Sequence, residues 1–240
     1  MSEIKTALKN AAEDMEFIFS PEQLELFQKY YEMIIKGSQK FNLTAITEPR
    51  EVAVKHFIDS LTCLKAADVP QGARVLDVGT GAGFPGLPLK IYRPDLDVIL
   101  MDSLSKRIGF LNDTIAALGL RGIQAIHDRA EDFAQRPEHR EKYDFVVSRA
   151  VARLAVLAEY CLPCVKVNGF FISQKGPAIE EEVQEGDKAF KTLGGQLQEV
   201  KKLNLPLIQD GRSLVIIKKI QSTPKAYPRK AGTPAKKPIL

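Results

Sequence analysis

Long apolar runs are missing from this sequence. No window approaches the roughly 18 apolar residues that a membrane-spanning helix needs, so no membrane partner is expected. Cysteine is scarce and odd in number, with three in the chain, which argues against a paired disulfide framework. Cys161 and Cys164 form a CxxC within EYCLPCVKV, an apolar helical stretch. A metal site would need two more ligands there. Cys63 and the three histidines are scattered, so no metal is expected and the two thiols read as core residues. The opening MSEIKTALKNAAEDME mixes acids into its helix and offers no signal-peptide core. A cytoplasmic location is expected. Acids also disappear at the far end: Lys218 to Leu240 carries seven bases and no acid. That segment holds +7 while residues 1–217 hold −3, so the net +4 belongs to the tail. An anionic partner suits such a distribution.

The first seventy or so residues read as helical. Ser20-Pro21-Glu22-Gln23 has a capping serine, proline at the first helical position and glutamine at the third. Leu24, Phe27, Tyr31, Ile34 and Ile35 follow at helical spacing. Thr47-Glu48-Pro49 opens another helix, with Val52, His56, Ile58, Leu61 and Leu64 inward. After Pro70-Gln71-Gly72 the pattern changes. Short apolar strands at 74–78, 98–102, 123–126, 145–148 and 170–173 alternate with helices at 86–92, 106–117, 131–134 and 154–165. Such alternation predicts right-handed βαβ units and a parallel sheet covered on both faces. Residues 197–203 and 214–220 read as a terminal antiparallel hairpin turning at Asp210-Gly211. Three segments result: helical residues 1–72, an α/β domain at 73–220, and a Pro- and Lys-rich tail at 221–240.

The stretch from Val75 to Gly86, VLDVGTGAGFPG, runs a buried strand into alternating Gly79, Gly81 and Gly83 and then a helix. Open α/β sheets bind ligands beyond the carboxyl ends of their strands. A dinucleotide fingerprint wants its third glycine at position 84, where this chain has Phe84. A bulky ring there would crowd a pyrophosphate, whereas S-adenosylmethionine has no phosphate. A tight turn that binds nothing is the bland alternative. Asp102 ends an apolar strand about 20 residues on, where an adenosine cofactor's ribose hydroxyls need a carboxylate. It or Ser103 could instead cap the next helix. In His127-Asp128-Arg129-Ala130-Glu131-Asp132, the small Ala130 leaves room for an adenine ring and its N–H can bond a ring nitrogen. Glu131 fits either the ligand or the helix dipole.

Taken together, these residues resemble the bacterial 16S ribosomal RNA guanine-N7 methyltransferase family, also called the glucose-inhibited division protein B family. The resemblance runs nearly end to end. It includes Phe41-Asn42-Leu43-Thr44-Ala45-Ile46-Thr47, Lys55-His56-Phe57-Ile58-Asp59-Ser60, the glycine loop and Asp102-Ser103-Leu104-Ser105-Lys106-Arg107. Arg129-Ala130-Glu131, Ser148-Arg149-Ala150-Val151-Ala152 and Tyr227-Pro228-Arg229-Lys230-Ala231-Gly232-Thr233-Pro234 complete it. The glycine loop alone marks only a class I methyltransferase; the last two stretches are far more specific. The resemblance implies a Rossmann-like α/β fold with a seven-stranded, mostly parallel sheet, a terminal antiparallel hairpin and a helical N-terminal extension. It implies S-adenosylmethionine as cofactor, contacted by Gly79, Phe84, Ala130, Glu131 and Arg149. It also implies a guanine of 16S rRNA in the small ribosomal subunit as substrate, and a monomeric enzyme is expected.

Guanine N7 has an in-plane lone pair and no proton, so no general base is required. Arg149, Arg153 and Lys175 are the substrate-side candidates, suited to a guanine carbonyl or to phosphates; for Arg153 and Lys175 a solvated rim charge is the competing reading. His56, on an apolar helical face, reads as a core histidine. Lys225, Arg229, Lys230, Lys236 and Lys237 are candidates for RNA phosphates, against a disordered solubilising tail. A small-molecule methyltransferase would share the loop without needing the basic tail. A dehydrogenase is disfavoured by Phe84, and a non-catalytic RNA-binding module would need no cofactor loop.

Overall fold

A computed structural model describes residues 2–41, 43–149, 151–208 and 210–240. Asn42 and Ala150, which belong to the motifs above, lie outside them. Helix α1 (Glu3–Glu13) and helix α2 (Pro21–Phe41) lead the chain. The predicted capping box starts α2: Ser20 N–H donates to Gln23 Oε1 at 2.9 Å and Gln23 N–H to Ser20 Oγ at 3.2 Å. Glu48 caps α3 (Pro49–Val52), accepting from the N–H groups of Arg50 and Glu51. The helix then widens into a π-helical stretch (Ala53–Ile58) and continues as α4 (Asp59–Leu61) and a 3₁₀ turn (Thr62–Lys65). π-helical insertions are uncommon and concentrate at functional sites.

Seven strands follow: β1 (Arg74–Val78), β2 (Asp97–Asp102), β3 (Ile123–His127), β4 (Tyr143–Arg149), β5 (Val165–Lys175), β6 (Gly195–Leu205) and β7 (Asp210–Lys219). Their order is β3-β2-β1-β4-β5-β7-β6. The first five are parallel, and β7 runs antiparallel between β5 and β6. The order reverses between β1 and β4, so their carboxyl ends frame the crevice where such sheets bind ligands. The connecting helices are α5 (Gly86–Tyr92), α6 (Ser105–Leu118), α7 (Ala130–Phe133), α8 (Leu154–Cys161) and α9 (Glu180–Thr192), with α10 (Thr233–Lys236) near the end.

Two apolar clusters cover the two faces. One joins Leu8, Phe27 and Phe57 from the N-terminal helices to Leu87, Leu100 and Leu111 of the sheet unit. No core boundary therefore falls at residue 72. The other packs Leu157, Cys161 and Phe190 against Leu76, Val146 and Phe171.

Three local expectations need correction. The helix expected to reach Val165 ends at Cys161, and Leu162–Cys164 form a 3₁₀ turn. Pro163 lacks the N–H that would continue the helix, and Val165 already pairs with Tyr143 in the sheet. Asp210-Gly211 is not the hairpin turn. Both residues pair across the ladder, with Leu205 and Asn204, and the chain reverses before them, where Leu207 has φ 63°. Helix α9 is not among the helices that apolar periodicity marks. It buries only Gly186, Ala189 and Phe190, and its first turn holds three glutamates.

Candidate active site

The glycine loop is held by its neighbours' carboxylates and carbonyls. Gly79 and Thr80 donate their N–H groups to Met101 O at 2.8 and 3.1 Å, and Gly83 and Phe84 donate theirs to Thr80 O, both at 2.9 Å. Asp77 Oδ2 accepts from the Thr80 hydroxyl at 2.7 Å and from Gly86 N–H at 2.8 Å. Asp102 Oδ2 accepts from Gly81 N–H at 2.9 Å. From α2, Tyr30 donates its hydroxyl to Ala82 O at 2.8 Å. The loop takes φ values of 73°, 62° and 111° at Gly79, Gly81 and Gly83, which side chains with a Cβ rarely adopt. The N–H groups of residues 79, 80, 81, 83, 84 and 86 are thus spent inside the protein. They do not converge as a phosphate nest, and the loop fits a cofactor without phosphates.

A cavity of about 360 Å³ opens beside this loop, over the carboxyl ends of β1, β2 and β3. Gly79, Met101, Ser103, Leu104, Ala130, Glu131, Val151 and Tyr160 line it. Leu104 and Val151 stay 45 % and 40 % exposed, leaving apolar surface for a flat ring. The N–H of Ala130, in the first turn of α7, has no acceptor within its helix. Burial, then the nearby Glu131 charge, pushes the Tyr160 phenol up to about 12, so it is a hydroxyl donor at neutral pH. Asp102 lies behind this wall, 2 % exposed. It also accepts from Leu104 N–H at 2.9 Å and pairs with Arg107 at 3.1 Å. Three donors occupy a carboxylate with about four acceptor sites. Asp102 therefore serves the loop first, with about one of its acceptor sites left over.

A second cavity, about 540 Å³, lies over the ends of β4, β5 and β7. The π-helical stretch delivers Lys55 and His56 to it, α4 adds Asp59, and the strands add Arg149, Gln174, Lys175 and Arg212. Arg149 donates to Lys55 O at 3.1 Å and to Asp59 Oδ2 at 2.9 Å, and its guanidinium lies 4.8 Å from the centre of the Phe84 ring. Phe84 stacks on His56, with ring centres 4.5 Å apart. The glycine loop thus serves both cavities: Gly79 lines the first, and Phe84 backs Arg149 and His56 in the second. Arg212 pairs with the other oxygen of Asp59 at 3.3 Å. Burial pushes Asp59 up and the two guanidiniums offset part of that rise. Burial, then Arg149, pulls His56 down to about 3, so the ring is neutral. Its Nε2 shares a hydrogen bond of 2.9 Å with the Thr44 hydroxyl.

The sequence-derived candidates therefore separate. Gly79, Ala130 and Glu131 meet in one cavity; Arg149 and Lys175 meet in the other. Lys175 is held by Ala152 O at 2.6 Å and Glu182 at 2.9 Å. Gly83 and Asp102 shape the loop from behind, whereas Gly81 is part-exposed beside it and faces open space. Arg153 joins neither cavity: exposed at the start of α8, it pairs with Glu185 on α9. Gln174 and Arg212 were not singled out from sequence, and Lys55 and Asp59 appeared only inside a family motif, with no role assigned.

The tail departs most from expectation. Arg229 is only part-exposed; it clamps Glu159, whose side chain is 1 % exposed, through three hydrogen bonds of 2.6 to 3.1 Å. Lys225, Lys230, Lys236 and Lys237 are exposed. Cys63, Cys161 and Cys164 are buried free thiols, and burial raises Cys164 to about 12.

The strand order with one antiparallel insertion, and a glycine loop with no phosphate nest, define a class I S-adenosylmethionine-dependent methyltransferase. The same fold occurs in a crystal structure of TrmN from Thermus thermophilus, with TM-score 0.54 and 17% identity over 78% of this chain and 52% of that one. It recurs in a SAM-dependent methyltransferase from Aquifex aeolicus, with TM-score 0.52 and 17% identity over 71% and 93% of the two chains. A family model described as rRNA small subunit methyltransferase G (GidB) matches residues 23–214, and the chain belongs to this family. It is 63% identical to the ribosomal RNA small subunit methyltransferase G of Desulforamulus reducens over all of both chains. It is 51% identical to that of Bacillus subtilis over 92% of each. Among the described residues no helix is long and apolar enough to cross a membrane.

Proposed function

We propose that the chain methylates N7 of a guanine in 16S rRNA of the small ribosomal subunit, as a monomer in the cytoplasm. In this reading the cavity at Gly79, Ala130 and Glu131 takes the cofactor's adenosine, and the target guanine enters the cavity at Arg149 and Lys175. One observation carries it: two cavities flank one glycine loop, and the second is lined by the cations Lys55, Arg149, Lys175 and Arg212, each paired with an acid at or behind its wall. Their remaining N–H donors suit a guanine carbonyl or a phosphate.

Bound S-adenosylmethionine would supply a methyl group activated by a sulfonium sulfur, open to the in-plane lone pair of N7. No proton moves, which suits a neutral His56 that is already hydrogen-bonded. The protein's part is to hold N7 in line, about 3 Å from the methyl carbon. Arg149 is immobilised by Asp59, Lys55 O and the Phe84 face, and presents a planar fork to the guanine carbonyl or a phosphate. The base must be unstacked to reach it. Buried free thiols fit a reducing compartment.

Labelled S-adenosylmethionine offered with small subunits, and separately with free 16S rRNA, tests this. One labelled guanine, modified at N7, is expected. Arg149→Met should cut kcat about 100-fold or more, equivalent to about 3 kcal/mol. Asp102→Ala should instead weaken cofactor binding by about 1.5–3 kcal/mol. No label in RNA, or label on another atom, overturns the reading.

A further inference from the structure

The tail, expected from sequence to lie against RNA phosphates, is built into the protein. Its chain leaves β7 at Lys219, whose buried Nζ donates to Leu162 O at 2.6 Å. Arg140 then gathers three of its carbonyls, those of Thr223, Pro224 and Tyr227, at 2.8 to 3.2 Å. Gln135 donates to Pro228 O at 2.6 Å. Arg229 follows. Its backbone N–H donates to Glu159 Oε1 at 2.7 Å, and its guanidinium grips both oxygens of the same carboxylate. Glu159 is a wholly buried acid on α8, and Arg229 is the cation that pairs it. Three residues later Gly232 N–H donates to Glu131 Oε1 at 2.8 Å. Gly232 and Glu131 both line the cavity beside the glycine loop.

We propose that the C-terminal segment forms a wall of the cofactor cavity, and that Arg229 and Glu159 are positioning residues for S-adenosylmethionine. This rests on the assignment of that cavity to the cofactor. Glu131 is 7 % exposed, and one of its oxygens is turned to the tail, which orients the carboxylate within the cavity wall. Gly232 can approach because its φ of 81° suits glycine alone. The Arg229–Glu159 clamp fixes where Gly232 lies, since three residues of chain leave little slack. Cofactor affinity therefore depends on a residue pair that touches no cofactor. The charge on Arg229 is spent inside the protein, so it adds nothing to RNA attraction.

The test uses the full chain. In Arg229→Met/Glu159→Gln the glutamine carbonyl still accepts the backbone N–H of residue 229, and no buried charge is left unpaired. Calorimetry should show S-adenosylmethionine binding weakened about tenfold or more. KM for the cofactor should rise in step, with kcat and the salt dependence of RNA binding unchanged. Arg229→Lys, which keeps the charge and loses the fork, should fall between the two. Hydrogen exchange of the unmodified protein adds a measurement free of folding defects: the cofactor should slow exchange across residues 229–233. Unchanged cofactor affinity in the folded double variant, or unchanged exchange, overturns the proposal. Ala130→Phe separates the two assignments by filling the cavity. If it too binds the cofactor normally, the cavity itself has been misassigned; if only the clamp variants do, the tail has no part in binding.

Discussion

Two buried carboxylates do different work in the glycine loop. Asp102 is recognisable from its place at a strand end, yet its oxygens mainly serve Gly81, Leu104 and Arg107. Asp77 sits inside the quoted motif with no role that spacing assigns. It is wholly buried, and burial pushes it from 3.8 up to about 7 despite its bonds to Thr80 and Gly86. A raised carboxyl is protonated in the fold at pH values where the unfolded chain has already released the proton. Its stabilising effect is therefore complete below about pH 3.8 and is lost as pH rises to about 7. Asp77→Asn keeps an acceptor for Thr80 and Gly86, and the other oxygen has no partner among the described residues to lose. Relative to the parent, this variant should gain roughly 2–4 kcal/mol of stability between pH 4 and pH 8. Denaturant melts at several pH values measure it, and a constant difference would mean that Asp77 titrates alike folded and unfolded. His56 has the opposite sign. Its lowered pKa makes stability fall as pH drops below 6.5. Its apolar helical face foretold burial, whereas its stacking on Phe84 required the fold.

At the scale of elements, the glycines of one loop differ in what a side chain would meet. A Cβ at Gly81 would meet nothing within 4 Å, whereas one at Gly83 would lie 2.5 Å from Leu87 Cδ1 and 2.7 Å from the Tyr30 hydroxyl. Gly81→Ala should therefore carry only the left-handed backbone strain of about 1–2 kcal/mol. It should still weaken S-adenosylmethionine binding about tenfold, because open space beside the loop is where a ligand approaches. Gly83→Ala should cost more stability, since it displaces α2 from the loop. Thermal melts with and without cofactor compare them, and normal cofactor affinity in Gly81→Ala would move the ligand off this face. Strand β1 and helix α5 were legible because a buried strand, a glycine turn and a proline follow one another within a dozen residues. Helix α9 was not, because three small or aromatic residues make too thin an apolar stripe to show periodicity. The hairpin was legible as a pair of strands, but its turn was not. The register is set by Leu214 to Ile217, all buried, and it carries Asp210 and Gly211 into the ladder.

Across the whole molecule, the tail's charge divides into two parts. Arg229 is consumed by Glu159, while Lys225, Lys230, Lys236 and Lys237 are exposed, and among the described residues none of the four has an ion pair. Replacing these four lysines with glutamine should lower the salt slope of RNA binding by about 0.7 for each phosphate that is no longer neutralised. Cofactor affinity should be unaffected. Equal slopes would shift RNA recognition to the cations around Arg149 and to the N-terminal helices. Those helices belong to the same apolar cluster as the sheet's inner face, and Tyr30 reaches the cofactor loop from them. Sequence by itself determined the fold class, the glycine loop, most of the strands and the family, because these follow from local periodicity and from contiguous motifs. It also singled out Arg149, Ala130 and Glu131, which the fold distributes over two cavities. Only the tertiary structure decided that Arg153 faces α9, that Asp59 and Arg212 flank Arg149, and that Arg229 closes on Glu159 seventy residues away. A buried charge must find its partner wherever the packed chain brings one within about 3 Å, and no spacing along the sequence encodes that distance.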